Sequence, residues 1–208
     1  MSPKATGSTV PPEDPLSPHP FPPEDFRDRP LPISTHTGPW FRLHSLDYDP
    51  LYFGRKGSGR FDGPEQGYGI LYAGEDEYCA FIETFGRTHG ARGVEEAALR
   101  RRGLARIESS RPLRLVNILG DGLVKLGADT RLASGSYLMS RQWAKAIWEH
   151  PENADGIRYH SRHDDTRVCC GLFDRAEDAL DVVGDRNPIE DCPELLAEIL
   201  ASYEYGLL

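Results

Sequence analysis

The chain has 208 residues, 38% of them hydrophobic and 10% aromatic, which suits a folded domain and excludes a disordered one. Lys and Arg total 24 against 33 Asp and Glu, a net charge of −9. Overall charge therefore argues against direct nucleic-acid binding, while a local basic patch could still hold one phosphate-bearing ligand. Mean hydropathy is −0.52, no apolar run approaches the roughly 20 residues of a membrane helix, and Met1-Ser2-Pro3-Lys4 opens no apolar leader. No membrane association and a cytoplasmic location are expected.

Proline divides the chain. Eleven of the 17 prolines precede Trp40, so residues 1–39 read as an extended, Pro-rich N-terminal arm without helix or strand. Phe21, Phe26, Leu31 and Ile33 are its candidate anchors. Residues 40–208 read as one domain. Trp40-Phe41-Arg42-Leu43-His44-Ser45 alternates apolar and polar and predicts a strand. A Gly-rich loop spans Gly54 to Pro64. Ile70-Leu71-Tyr72-Ala73 predicts a short strand. Tyr78, Phe81, Ile82 and Phe85 give residues 76–85 helical spacing, and a second helix is expected over 94–102. Strands are expected at 104–107 and 113–118, and helical turns at 121–126 and 129–132. A stronger helix covers 140–148. Residues 156–161 and 167–173 predict a β-hairpin. A closing helix runs from Cys192 to about Tyr203, with Asp191 as N-cap and Pro193 in the first turn. Regular alternation of strand and helix is missing, so the class is mixed α+β rather than a doubly wound parallel sheet.

The four cysteines, Cys79, Cys169, Cys170 and Cys192, are too few for a disulfide scaffold and read as reduced thiols packed as small hydrophobes. A metal set of His160, His163 and Cys169 or Cys170 has no zinc-like spacing, so no metal is expected. The Gly-rich loop is neither a Walker A loop nor a dinucleotide fingerprint. It offers backbone N–H groups and the cations Arg55, Lys56 and Arg60, the natural partners of a pyrophosphate. Taken alone, the loop reads first as a solvated basic turn. Arg42 sits inside an apolar strand and faces opposite to Phe41 and Leu43. It is either exposed on an open sheet face or forked onto an anion in a cleft. Glu83, among apolar neighbours, is either an outer-face carboxylate or a site acid. Ser140 is first of all a helix N-cap, and no GxSxG elbow exists. Ser161 is a second candidate serine.

Taken as an ordered series, these segments resemble the RES-domain family, named for its Arg, Glu and Ser. The series runs through Phe41-Arg42, Gly57-Ser58-Gly59-Arg60-Phe61-Asp62, Ile70-Leu71-Tyr72-Ala73 and Ala80-Phe81-Ile82-Glu83. It continues with Ser140-Arg141-Gln142-Trp143-Ala144 and Asp155-Gly156-Ile157-Arg158-Tyr159-His160-Ser161-Arg162. The likeness covers residues 40–173. It implies an ADP-ribosyltransferase-like α+β fold, with a split, curved mixed sheet and surrounding helices around an NAD cleft. It also implies an NAD-degrading enzyme, as in many toxins of bacterial toxin–antitoxin pairs. By position, Arg42 and Arg60 match the two family arginines that line the cleft, Tyr72 the family tyrosine, and Glu83 the family glutamate. Ser140 is the choice for the family serine, with Ser161 second. One departure is Leu43, where some toxins carry Tyr, so a second aromatic platform is not expected there.

The implied chemistry cleaves the nicotinamide–ribose bond as an NAD glycohydrolase or NAD phosphorylase. Glu83 would stabilise the ribosyl cation, Arg42 and Arg60 would hold the pyrophosphate, Tyr72 would stack on an aromatic ring, and Ser140 would bond a ribose hydroxyl or the nicotinamide. NAD is then a substrate, and no further cofactor is implied beyond inorganic phosphate as a co-substrate, for which Arg55 or Lys56 could form a subsite. Water and phosphate stay open as acceptors, and so does homo-oligomerisation. The resemblance implies an antitoxin covering the cleft. Transfer of ADP-ribose to a macromolecule, or a catalytically silent nucleotide- or partner-binding module, are the alternative readings.

Overall fold

A computed structural model describes residues 20–87 and 92–208; residues 1–19, about half of the expected arm, lie outside the described residues. The chain forms β1 (Ile33–His36), β2 (Trp40–Ser45), β3 (Ile70–Gly74), α1 (Glu77–Phe85), β4 (Gly93–Val94), α2 (Glu96–Arg100), β5 (Arg102–Ser109) and β6 (Leu113–Asn117). It continues with α3 (Asp121–Leu126), α4 (Arg131–Ser134), α5 (Tyr137–Trp148), β7 (Gly156–His160), β8 (Val168–Phe173), β9 (Leu180–Arg186), α6 (Pro193–Ser202) and β10 (Gly206–Leu207). Eight strands make one mixed sheet in the order β1-β6-β7-β8-β3-β2-β5-β9, and β4 with β10 makes a short parallel pair. Within the large sheet only β6 and β7 run parallel. This is the expected mixed α+β class.

The centre of the sheet is buried on both sides. Along β8, Cys169 and Phe173 join a core with Trp143, Ala144 and Ile147 of α5, while Cys170 and Leu172 join another with Ala176 and Ala179 beyond the opposite face. Covering both faces explains why Ile70-Leu71-Tyr72-Ala73 reads as an uninterrupted apolar run rather than an alternation. The helix α1 is buried on several sides. Cys79 enters the α5 core, Ala80 meets Phe41, Leu43 and Leu104, and Phe81 meets Leu196 and Ile199 of α6.

The centre of the sheet is split. β2 and β3 pair at one position, Phe41 with Gly74, and then diverge, although β2 continues pairing with β5 over all six of its residues. The gap on the far side of Phe41–Gly74 is where the cleft opens.

Several expectations are corrected. β1 lies in the stretch read as arm without a strand, and its four residues pair with β6. Phe26, Leu31 and Ile33 anchor this stretch as expected, but Phe21 is exposed. Pro breaks helices there but leaves four residues free of Pro, long enough for a sheet-edge strand. The strands β5 and β6 follow one another but are separated by four strands in the sheet. The helix expected over 94–102 is shorter, because Gly93–Val94 pairs with β10 and Arg102 already belongs to β5. The N-cap of α5 is Ser136, whose hydroxyl accepts from the Leu138 N–H at 3.3 Å, and not Ser140. The N-cap of α6 is Cys192 rather than Asp191, with no side-chain bond, and β9 follows a 3-10 segment where no strand was expected.

Phe26 is 3% exposed and meets Trp143 edge-on at 5.4 Å and His150 at 5.5 Å. Phe26→Ala is expected to destabilise the fold by about 3–5 kcal/mol, and removal of residues 1–39 to abolish cooperative unfolding. Denaturant titration of the three proteins checks both outcomes.

Candidate active site

The divergence of β2 from β3 leaves a cleft of about 540 Å³, within the range of small-ligand sites. Arg42, Arg60, Tyr72 and Glu83 all line it, although they come from β2, the Gly-rich loop, β3 and α1. Lys56, Arg87, Arg102 and Arg162 border it as well. Among the described residues the lining thus carries six cationic side chains against two carboxylates, Asp62 and Glu83, in a chain of net charge −9.

Glu83 projects from the strip of α1 that the three cores leave uncovered. Its Oε1 accepts from Ser161 Oγ at 2.6 Å. Ser161 is 3% exposed and in turn accepts the N–H groups of His163 and Asp164 at 3.1 and 3.2 Å, which aims its own proton at Glu83. Among the described residues Oε2 has no hydrogen-bond partner, so one carboxylate oxygen is oriented and the other remains for a ligand.

Arg60 is 7% exposed, with its guanidinium 4.6 Å from the Tyr137 ring centre. Its Nη1 donates to Gly135 O at 2.7 Å and to Ser140 Oγ at 3.3 Å. Its Nη2 is buried without a hydrogen-bond partner among the described residues. Burial is the main cause that lowers its pKa, opposed by Tyr137 and reinforced by Arg162. A buried donor left unmade is costly, and an anion satisfies it. Arg42 donates from Nη1 to Tyr52 O at 3.0 Å, and burial lowers its pKa to about 10, which leaves it charged at neutral pH.

Ser140 is fully buried. Its hydroxyl donates to Leu132 O at 2.7 Å and receives Arg60, so its link to the cleft runs through that guanidinium. The expected direct contact of Ser140 with a ribose or nicotinamide is therefore replaced by a hold on Arg60. Ser161, the second choice, is the serine that touches the carboxylate. Neither serine lines the cleft.

Tyr72 lines the cleft with its ring, while its hydroxyl is occupied. It donates to Asp62 Oδ1 at 2.8 Å and accepts the Phe61 N–H at 2.8 Å. Burial and the Asp62 charge push its pKa well above the usual phenol value, so it stays neutral. Asp62 Oδ2 also accepts the Gly59 N–H at 2.8 Å. Two N–H groups of the Gly-rich loop are thus already bonded, Gly59 within the loop and Phe61 to β3, and two carbonyls, Gly57 O and Gly59 O, are held by Arg141 of α5. The expected use of these particular N–H groups on a phosphate is corrected: the loop is a rigid wall that positions Arg60. Arg55 pairs with Asp174 and is not in the cleft, so Lys56 is the only one of the two proposed subsite cations that borders it.

Arg162, Arg102 and Tyr137 were not singled out from the sequence. Arg162 directly follows Ser161, and Tyr137 lies one helical turn before Ser140, but neither spacing alone marks a cleft. The cysteines are all free and buried, and Cys79 Sγ lies 3.2 Å from Cys169 Sγ.

The sequence matches the RES domain over residues 39–193. The chain belongs to the RES-domain family. The RES domain covers β2 to the start of α6 and contains every cleft residue named above. Within the curated proteins, this RES-domain chain is 32% identical over 126 residues to the probable toxin y4kH of Sinorhizobium fredii (strain NBRC 101917 / NGR234), an alignment spanning 59% of this chain and 98% of that one. Its fold is similar to a chain in the crystal structure of the M. tuberculosis MbcT-MbcA toxin-antitoxin complex, with a TM-score of 0.64 at 14% identity over 81% of this chain and 92% of the other.

A Cβ on Gly59 would lie 2.3 Å from Asp62 Oδ1 and 2.6 Å from the Tyr72 hydroxyl. Gly59→Ala is therefore expected to destabilise the domain by about 1–3 kcal/mol through overpacking, measured by chemical denaturation. An unchanged midpoint would mean that the loop adjusts freely and does not position Arg60.

Proposed function

We propose that this RES-domain protein degrades NAD by cleaving the nicotinamide–ribose bond and acts as the toxin of a toxin–antitoxin pair. The observation that carries the activity is the convergence, at the sheet split, of one oriented carboxylate with two buried or half-buried arginines from separate elements. Likeness to a probable toxin and to a chain in a toxin–antitoxin complex supports the biological setting. By the same argument, a protein antitoxin that covers the cleft is the proposed partner.

In this reading Arg42 and Arg60 hold the pyrophosphate, and the unpartnered Nη2 of Arg60 takes one of its oxygens. The nicotinamide-bearing ribose then lies at Glu83. As the glycosidic bond breaks, its electron pair leaves with the pyridine nitrogen and neutralises the pyridinium. Positive charge develops on the ribose C1 and ring oxygen. The Glu83 carboxylate, fixed by Ser161, is in place before that charge appears, which is the condition for electrostatic stabilisation. A water or phosphate oxygen then bonds to C1. Water gives ADP-ribose and releases a proton; phosphate gives the 1-phosphate ester of ADP-ribose. Ser161 and Ser140 are positioning residues, for Glu83 and Arg60 respectively.

Glu83→Gln retains size and hydrogen bonding but removes the charge. Turnover of NAD is expected to fall by roughly 100-fold or more, while NAD affinity changes only a few-fold because the charge matters once the bond begins to break. Arg42→Ala is expected to weaken binding instead. Chromatography of products with and without inorganic phosphate distinguishes ADP-ribose from its phosphate ester. Wild-type turnover in Glu83→Gln would remove Glu83 from the mechanism, and ADP-ribose appearing only on added protein would favour transfer to a macromolecule.

A further inference from the structure

An aromatic ring that the proposed mechanism leaves unused borders the cleft. Tyr52 lines it from the segment that follows β2 and is 38% exposed. Its neighbours Leu51 and Phe53 turn the other way and pack against the core of Trp40, Leu71 and Leu172. With Leu51 and Phe53 both turned to that core, the Tyr52 ring between them faces the cleft.

The backbone beneath the ring is fixed on both sides. The Tyr52 carbonyl accepts from Arg42 Nη1 at 3.0 Å, and its N–H donates to Asp49 O at 2.9 Å. Two residues on, Gly54 and Ile70 exchange both backbone hydrogen bonds at 3.0 Å. Tyr48 backs the ring from outside, with ring centres 5.3 Å apart and planes tilted by 31°, and Lys56 lies 5.7 Å from the Tyr48 ring centre. A large apolar ring is thus held at the border of an electropositive cleft, tied through its own carbonyl to an arginine read as a phosphate ligand. Open aromatic faces beside phosphate-binding cations are how proteins hold nucleobases without reading their edges.

Building on the NAD-degrading reading, we propose that Tyr52, backed by Tyr48, is the stacking platform for the adenine ring, placing the adenosine half beyond Arg42 and the nicotinamide half at Glu83. The platform binds ground state and transition state alike, so its loss raises KM and leaves kcat in place.

Tyr52→Ala, with Tyr52→Phe and Tyr52→Trp as aromatic controls, tests this against three probes. For NAD, Tyr52→Ala is expected to raise KM about tenfold, the scale of one base–aromatic stack, with kcat within about twofold; Phe and Trp restore KM. Nicotinamide mononucleotide lacks adenosine, so its turnover is expected to be the same in all variants. AMP lacks nicotinamide, and its binding, followed by calorimetry, is expected in the wild type and to weaken about tenfold in Tyr52→Ala. The AMP arm stands even if NAD is not turned over, so failure of the activity and failure of the platform are separable. An unchanged NAD KM, an equal loss with nicotinamide mononucleotide, or AMP binding that is absent or identical in wild type and Tyr52→Ala would each overturn the proposal. A melting curve matching the wild type confirms that the half-exposed ring does not act through folding.

Discussion

The site depends on how closely α1 approaches the end of β3. Gly74 pairs with Phe41 on one side and Cys169 on the other, and a Cβ there would lie 2.5 Å from Cys79 Cβ and 3.0 Å from the Ala80 N–H nitrogen. Glycine lets the helix sit directly on the strand end. With α1 seated there, Glu83, one turn beyond Cys79, reaches the gap where β2 and β3 part. A side chain at Gly74 would lift the helix and carry the carboxylate away from Arg42 and Arg60.

The same gap determines the electrostatics. Acidic residues dominate the whole chain, but cations dominate the cleft lining. Asp62, one of its two carboxylates, is 3% exposed and turned toward Tyr72 and the Gly59 N–H, which leaves Glu83 as the carboxylate presented to a ligand. In a partly desolvated pocket, arginines meeting one anion act far more strongly than the same charges spread over a surface. The net charge therefore describes the outer surface and not the site.

The α5 helix does the second positioning task. Its Arg141 holds the carbonyls of Gly57 and Gly59, its Ser140 receives Arg60, and its Tyr137 ring lies under the Arg60 guanidinium. The same helix buries Trp143 and Ile147 in the main core. Core packing and the placement of Arg60 thus share one rigid element, the condition for a preorganised site.

Much of this was legible in the sequence. Period-2 alternation places Arg42 opposite Phe41 and Leu43, 3.6-residue spacing marks α1 and α5, and the hairpin of β7 and β8 pairs as its two apolar runs suggest. The order of the motifs indicated the family and, with it, Arg42, Arg60, Tyr72 and Glu83. These are local patterns, and local patterns are what periodicity records. Strand order, the split after Phe41–Gly74 and the eventual partner of each serine depend on contacts between residues far apart in the chain, from Phe41 with Gly74 to Ile70 with Phe173, which leave no periodic trace. So Ser140 read as an N-cap although Ser136 caps the helix, and β1 was hidden among prolines because its partner β6 lies some 80 residues away. That Arg42, Arg60, Tyr72 and Glu83 belong to one series of motifs was written in the chain; that they line one cleft was decided only when the sheet closed around its gap.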